Sequence, residues 1–518
     1  MGKKQNFLIV LAVLLSAISG CNEQQVKVES AIDQIVTVQI DTNAVLEKDF
    51  LGIGTQWSAY PEFDVSEEDW QKVFDRVDYM KLPFTRVMIS TGYFFRGLDD
   101  NGKQKYDFNS KRMLKNYKLL DYCEKNNVKV MFGQWALARG INRESPMQAK
   151  ITADLIGHLV NAKGYTCIRW YNYINEPNGE WSSCRADWNI WRKVTSLLHA
   201  ELKQRGLLEK IQLCGPDDSN LRKDWILGKD RALDDAEVRS WLGIYEPHWY
   251  MYWDENTKIL AKDYEQKTRQ LVEAIAKNDP GKQLYLGEAG LNLQGQGGDC
   301  QMHVYDYWYG VTMADAAIQK IRGGMSGFIA WYLDDSMHTF GPRASDPKKR
   351  YAQRKIWGLW SILGPKFSLP QDQHLRPWFY TWSALSRNFP AGCQTLKVPQ
   401  TGIDQLRVAA AKIPDGKRHD LSLAVVNNSD TERTVQILIP GLQERASFGR
   451  FEYTDADGDN KPDAWPEAID DNGNDIFPKL NRVMRNIRPS RGINLYIPAK
   501  SVIILSTLEG GYPVSLKK

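Results

Sequence analysis

From residue 49 onward one pattern recurs: eight short apolar runs of strand type, nearly all followed by a stretch with apolar residues at helical spacing. The runs are 50–57 (FLGIGTQW), 84–90 (FTRVMIS), 128–135 (VKVMFGQW), 168–174 (IRWYNYI), 210–216 (KIQLCGP), 242–248 (LGIYEPH), 283–288 (QLYLGE) and 326–334 (SGFIAWYLD). Such runs suit strands covered on both faces. Between them, Glu67 to Lys81, Met113 to Cys123, Met147 to Ala162, Asp187 to Lys203, Tyr264 to Ile275 and Tyr305 to Arg322 read as helices, and Pro377 to Arg387 can close the series. Alternating strands and helices predict a parallel α/β fold, and eight strands close a (β/α)8 TIM barrel, here over residues 46–390. An open doubly wound sheet would announce a glycine-rich phosphate turn. Gly52-Ile53-Gly54 lacks both the third glycine and the helix directly after it.

Past residue 391 the helical period disappears. Leu421, Leu423 and Val425, then Val435, Ile437 and Ile439, then Leu495 and Ile497 alternate, which predicts a C-terminal antiparallel β-sandwich over 391–518. Val36, Val38 and Ile40 alternate as well, so residues 21–45 read as a tether and a first strand that can join the sandwich. Residues 1–20 read as a signal peptide: Lys3 and Lys4 precede the apolar stretch Phe7 to Leu15, too short to span a bilayer. It ends Ile18-Ser19-Gly20-Cys21, which resembles the lipobox of bacterial lipoproteins. That resemblance implies lipidation of Cys21 and a lipid-anchored protein of the bacterial cell envelope, on the outer membrane, with the periplasmic or surface face left open.

Composition excludes some classes. With 67 basic and 63 acidic residues the net charge is +4, which favours neither nucleic acid nor an anionic membrane. No Cys-x-x-Cys or His-Glu-x-x-His occurs, so no zinc is expected. Cys123, Cys167 and Cys214 read as buried thiols, while Cys184 and Cys300 fall near loops and could pair. No cofactor is expected. The run Asp455-Ala-Asp457-Gly-Asp459-Asn-Lys-Pro-Asp463 places oxygen ligands at alternating positions, as calcium loops do, but lacks the glycine at position six and the closing glutamate of an EF-hand. It reads either as a structural calcium site or as a solvated acidic hairpin loop.

Barrel chemistry sits at the C-terminal ends of strands. In the fourth run, Pro177 cannot donate to a ladder and biases Glu176 towards extended backbone, leaving Asn175 and Glu176 at the mouth. The same mouth collects Trp57 from strand one, Arg86 from strand two, Gln134 and Trp135 from strand three, and His248 and Tyr250 from strand six. Glu288 ends strand seven, and strand eight carries Trp331. Two glutamates on opposed walls are what glycosidic bond cleavage requires, one protonated to assist the leaving oxygen and one ionised to attack the anomeric carbon. Burial and a neighbouring negative charge would raise the acid; Arg86 and Tyr250 would keep Glu288 ionised. Of the 18 Trp, Trp181, Trp249, Trp253 and Trp308 also follow strand ends and read either as core or as sugar platforms.

With Asn175-Glu176 on strand four, Glu288 on strand seven and an aromatic strand eight, the chain resembles glycoside hydrolase clan A, the retaining (β/α)8 glycosidases. The resemblance covers about residues 46–390. It implies Glu176 as acid/base, Glu288 as nucleophile, Asn175 as a ligand of the sugar 2-hydroxyl and Trp331 as a subsite floor. Arg86 and His248-Trp249-Tyr250 match a pattern frequent in family 5, which tends to have a histidine near strand three where this chain has Gln134-Trp135. Asn175-Glu176-Pro177-Asn178 with a C-terminal sandwich is equally similar to family 39. The expected function is hydrolysis of β-glycosidic bonds of a poly- or oligosaccharide by double displacement. The alternatives are an inactive surface glycan-binding lipoprotein and a transglycosylase.

Overall fold

The computed structural model describes residues 35–513, except 220–223, 255–258, 261–263, 293–299, 339–354, 368, 415–418, 464–468, 471–472 and 510–511. The expected signal peptide, Cys21 and the segment after it lie outside the described residues. No helix among the described residues is long and apolar enough to cross a membrane.

Eight parallel strands form the barrel: β1 (Gly52–Gln56), β2 (Phe84–Ile89), β3 (Lys129–Gln134), β4 (Ile168–Asn172), β5 (Gln212–Pro216), β6 (Leu242–Glu246), β7 (Tyr285–Asn292) and β8 (Gly327–Ala330). Each neighbour in sequence is a neighbour in the sheet, and β8 returns to pair with β1. The join between β6 and β7 is indirect. Pro247 has no N–H to give, and beyond it the chain resumes as a strand, His248–Asp254, that pairs with β7 from His248↔Glu288 onward. Tyr245 N–H donates to the Gln283 carbonyl at 3.0 Å and Gly287 N–H to the Pro247 carbonyl at 3.0 Å, closing the ring.

The helices follow as α1 (Glu67–Met80), α2 (Lys111–Lys125), α3 (Pro146–Gly157), α4 (Trp188–Gln204), α5 (Ala236–Trp241), α6 (Tyr264–Asn278), α7 (Tyr307–Arg322) and α8 (Trp378–Asn388). Ser66, Ser110, Ser145 and Asp187 cap α1, α2, α3 and α4, each accepting a backbone N–H in the first turn. The helix expected to reach Ala162 passes into a π turn at His158–Ala162.

The barrel interior is solid. Leu51, at the entrance of β1, with Phe84, Met131, Trp170, Cys214, Ile244, Tyr285 and Ile329 forms one buried cluster, a single side chain from each strand position. This plug closes the N-terminal end and leaves only the other mouth for polar groups.

The C-terminal part is a sandwich of a seven-stranded and a three-stranded sheet around its own apolar core. Val36–Gln39 joins the smaller sheet, paired parallel to Arg433–Leu438, so the early strand is part of the C-terminal sandwich as expected. The sandwich packs on α7 and α8. Helix α7 is covered almost all round: Asp315 receives Arg407 at 2.7 Å, Arg322 donates to the Val408 carbonyl at 2.6 Å, and Tyr307 stacks on Tyr453 at 4.4 Å. All six cysteines beyond Cys21 are buried. The pairing of Cys184 with Cys300 that the sequence left open is not formed, because each is packed in the core rather than displayed on its loop.

Candidate active site

Side chains two positions apart along a strand share a face. Two residues beyond the plug, Phe84, Trp170, Ile244 and Ile329 give way to Arg86, Asn172, Glu246 and Trp331, so a polar layer follows the apolar one. Glycines at that level make the room. A Cβ on Gly287 would overlap the Glu246 carboxyl. Simple alternation would turn Glu288 away from the face that Gly287 occupies. The β7–β8 register slips between Leu286 and Ala289, and an irregularity of that kind re-aims a side chain. Glu288 enters the cleft partway along β7, which runs on to Asn292 rather than ending at the glutamate.

On the opposite wall β4 stops at Asn172, and Asn175 and Glu176 stand in the turn that follows. Glu176 is not extended as Pro177 suggested. Its φ is 42°, in the left-handed region, a conformation that costs a non-glycine residue about 1–3 kcal/mol and is held only where surroundings insist. Here they do: Glu176 N–H donates to Asp217 Oδ2 at 2.8 Å, and the Glu176 carbonyl accepts from Gly179 N–H at 2.9 Å.

One hydrogen-bonded system links the two walls. Arg86, fully buried on β2, donates through Nη1 to Glu288 Oε1 and through Nη2 to Asn175 Oδ1 at 2.7 Å, and lies 3.4 Å from Asp217 Oδ2. Tyr250 OH donates to Glu288 Oε2 at 2.6 Å. His248 lies beneath both glutamates, with Nδ1 3.0 Å from Glu176 Oε1 and 3.4 Å from Glu288 Oε2, and Nε2 2.8 Å from Asp217 Oδ1. A carboxylate oxygen of Glu176, one of Glu288 and a ring nitrogen of His248 all lie within 4.8 Å of one another. The Arg86 guanidinium and the His248 imidazole already neutralise these carboxylates, which makes the cluster an ion-pair network rather than a metal cradle.

The charges follow from the packing. Burial alone would lower His248, but Asp217 and Glu288 raise it well above the ordinary imidazole value, so it is an imidazolium. Burial would raise Asp217, and His248 and Arg86 instead hold it far below the usual carboxylate range. Glu246 stands farther from the same imidazolium, 3.6 Å from His248 Nε2 against 2.8 Å for Asp217. Burial and the Asp217 charge push it well up, so of this pair Glu246 keeps the proton. Glu288 is raised by burial against the pull of His248 and Arg86. Burial also raises Glu176, but the hydrogen bond and charge of His248 bring it below its ordinary value. The expected directions were the reverse, because the sequence could not show that the imidazolium lies closer to Glu176 than to Glu288.

The cleft above this network holds about 590 Å³, with Trp135, Asn175, Glu176, Tyr250, Glu288 and Trp331 among its walls. A second hollow of about 750 Å³, around Tyr93, Arg96 and Arg139, continues past Trp135. Four of the expected ligand-binding residues are not on these walls, the first being Arg86, which is fully buried beneath Glu288 and Asn175. Trp57 is fully buried and packs edge-on against Phe74 of α1 and Tyr122 of α2, so it belongs to the layer between barrel and helices. Gln134 is likewise buried, its Oε1 accepting from Tyr171 OH at 3.1 Å and Thr152 Oγ1 at 3.4 Å. His248 is fully buried and touches carboxylates, not the cleft. Trp181 lines the cleft; Trp249 is core, against Tyr264 and Lys320; Trp308 packs against His303 and Tyr309; the Trp253 side chain lies outside the described residues.

Sequence reasoning missed Asp217 and Glu246. Both stand at the ends of β5 and β6, so the same strand-end rule that found Glu176 could have found them. It also missed Trp357, His338 and Lys355 of the cleft, which come from the irregular chain after β8 and carry no periodic signal. In the sandwich, carboxylate oxygens of Asp455, Asp457 and Asp463 lie within 4.8 Å of one another, while Asp459 turns to Lys461 at 3.6 Å. Asp463 also accepts from Ala456 N–H at 3.0 Å, as an acidic hairpin loop does.

No family model and no curated protein matches the chain. Solved structures do. A GH30 endoxylanase from Clostridium papyrosolvens superposes with a TM-score of 0.61 at 11% identity, covering 91% of this chain and 99% of that one. The GH39 enzyme from Xanthomonas axonopodis pv. citri gives 0.58 at 12%, covering 93% and 99%, and a GH39 β-xylosidase from Caulobacter crescentus 0.57 at 13%, covering 91% and 99%. The structural neighbours are thus glycoside hydrolases of families 30 and 39, of clan A, and the barrel with its C-terminal sheet is the fold they share with this chain.

Proposed function

We propose that this protein is a retaining glycoside hydrolase acting on β-linked poly- or oligosaccharides. The observation that carries the reading is the approach of Glu176 and Glu288, whose nearest oxygens come within 4.8 Å across the cleft. Retaining glycosidases hold their carboxyls about 5–5.5 Å apart, whereas inverting ones leave about 6.5–9.5 Å for a water. Glu288 Oε attacks the anomeric carbon, the bond to the leaving oxygen breaks, and Glu176 gives that oxygen a proton. Water then loses a proton to Glu176 and displaces Glu288, restoring both acids. Arg86 and Tyr250 aim Glu288 and favour its ionised form at the moment of attack. The proton for the leaving group comes from the His248–Glu176 pair. Once a sugar excludes water from the cleft, the neutral arrangement of that pair gains on the charged one.

The structural neighbours include xylanases and xylosidases, which makes β-xylan and xylo-oligosaccharides the first substrates to test, alongside β-glucans, mannans and galactans. Turnover of the best substrate by Glu288→Ala at the wild-type rate would refute the reading. Rescue of that variant by azide, with release of an α-glycosyl azide, supports it. New reducing ends rather than acceptor-linked products at high acceptor concentration separate hydrolysis from transglycosylation. We also propose that Cys21 carries a lipid anchor holding the protein to the cell envelope, supported by the lipobox-like run before it. Labelled palmitate incorporated by the wild type and not by Cys21→Ser tests this.

A further inference from the structure

Trp181 is the most exposed large aromatic side chain at the cleft, with 62% of its surface open. An exposed tryptophan is ordinarily free to turn, yet this one is placed. Its Nε1–H donates to Glu176 Oε2 at 3.1 Å. The other carboxyl oxygen, Oε1, faces His248. Both oxygens of Glu176 are therefore taken, and an acid so engaged is not presented to a leaving group.

The turn that carries the ring is built for this position. Asn178, buried, donates to Asp218 and accepts Ser219 N–H at 2.8 Å, and Ser182 Oγ donates to the Pro177 carbonyl at 3.0 Å. The indole lies against Gly179, close enough that a Cβ there would overlap the ring. The backbone of Gly179 is not in the left-handed region, so glycine is required at this position by the ring and not by the turn.

We propose that Trp181 is a substrate-displaced cap on Glu176: its indole holds the carboxyl while the cleft is free, and the sugar on the leaving-group side moves the ring off and stacks on it. This rests on the reading of Glu176 as the acid/base. A large, flat, exposed ring one hydrogen bond away from the proton donor occupies the ground a leaving sugar must cross, and aromatic faces are good supports for sugar C–H faces. Other groups near Glu176 are His248, Asp217, Glu288 and Tyr250, with Arg86 reaching it through Asn175. None of these is displaced by the cap's departure.

The test compares pH profiles of Trp181→Phe and Gly179→Ala with wild type on the trisaccharide best cleaved in the substrate panel. Phenylalanine keeps the ring and removes the N–H; alanine at 179 keeps the indole and pushes it off the carboxyl. A hydrogen bond to the ionised form lowers a pKa, so losing it raises the pKa of free Glu176 and moves the alkaline limb of kcat/KM upward, by about half a unit or more. The alkaline limb of kcat, which reports the complex with the ring already displaced, stays where it is in both variants. Trp181→Ala also loses at least about fivefold more kcat/KM on the trisaccharide than on the glycosyl fluoride of the same glycone, since one stacked ring is worth about 1 kcal/mol or more. Unmoved kcat/KM limbs, or equal losses on both leaving groups, overturn the cap. If instead Glu176→Ala keeps a wild-type alkaline limb, it is the acid/base reading that fails.

Discussion

Asp217 has the most demanding position in the site, and Asp217→Asn tests the electrostatic account directly. The carboxylate is 1% exposed and serves three partners: His248 Nε2 at 2.8 Å, Arg86 Nη2 at 3.4 Å and Glu176 N–H at 2.8 Å. Asparagine keeps the shape and one accepting oxygen but removes the charge, leaving two buried cations short of a counter-ion. Breaking a buried pair from one side costs about 3–5 kcal/mol. With about 2.1 cal/mol/K of unfolding entropy per residue, a chain of this length loses roughly 1 °C per kcal/mol, so the midpoint should fall by about 3–5 °C.

The pH window follows from the directions of the shifts. Asp217 sits below its ordinary value when folded, so its contribution is complete above about pH 3.8 and fades as pH falls through the depressed value. His248 sits above its ordinary value, so its contribution is complete below about pH 6.5 and fades as pH rises through the raised value. Both are complete near pH 5.5, where thermal unfolding of the two proteins should differ most; the gap should narrow towards strong acid and towards alkali. In parallel, the His248 ring should titrate at lower pH in the variant, followed by NMR of labelled histidine. Midpoints within 1 °C at pH 5.5 together with an unchanged histidine titration would show that Asp217 does not hold the imidazolium.

Other consequences can be checked on the same preparations. Glu288→Ala should lower kcat by about 10⁴-fold or more on natural substrates, as removal of a covalent nucleophile does, without lowering the melting temperature by more than a few degrees. Tyr250→Phe removes the hydroxyl 2.6 Å from Glu288, and kcat/KM should drop by roughly 10–100-fold, the worth of one hydrogen bond to a charged group. Gly287→Ala introduces a methyl where the Glu246 carboxyl stands, and should destabilise the barrel by about 1–3 kcal/mol, read as a lower midpoint. Trp57→Ala should cost about 3–5 kcal/mol of stability while KM stays at the wild-type value, because its ring packs on Phe74 and Tyr122 and not on the cleft.

The sequence by itself determined the architecture. Eight apolar runs at helical intervals allow little but a closed parallel barrel, since each run needs cover on both faces, and all eight were found close to where the pattern placed them. It also determined which strand ends gather polar and aromatic side chains: Arg86, Asn175, Glu176, Tyr250, Glu288, Trp135 and Trp331 meet at one mouth because parallel strands all end on the same side. What it could not determine is where a side chain at a strand end points. Trp57 and Gln134 stand at the right height but turn outward, and Glu288 turns inward across a slip in register that no residue type announces. Nor could it assign protons. Those depend on contacts among β2, β4, β5, β7 and the strand after β6, residues up to 202 positions apart, such as Arg86 and Glu288. Electrostatic energies fall with distance in space, not along the chain, so the position of His248 nearer to one glutamate than to the other is a property of the closed ring alone.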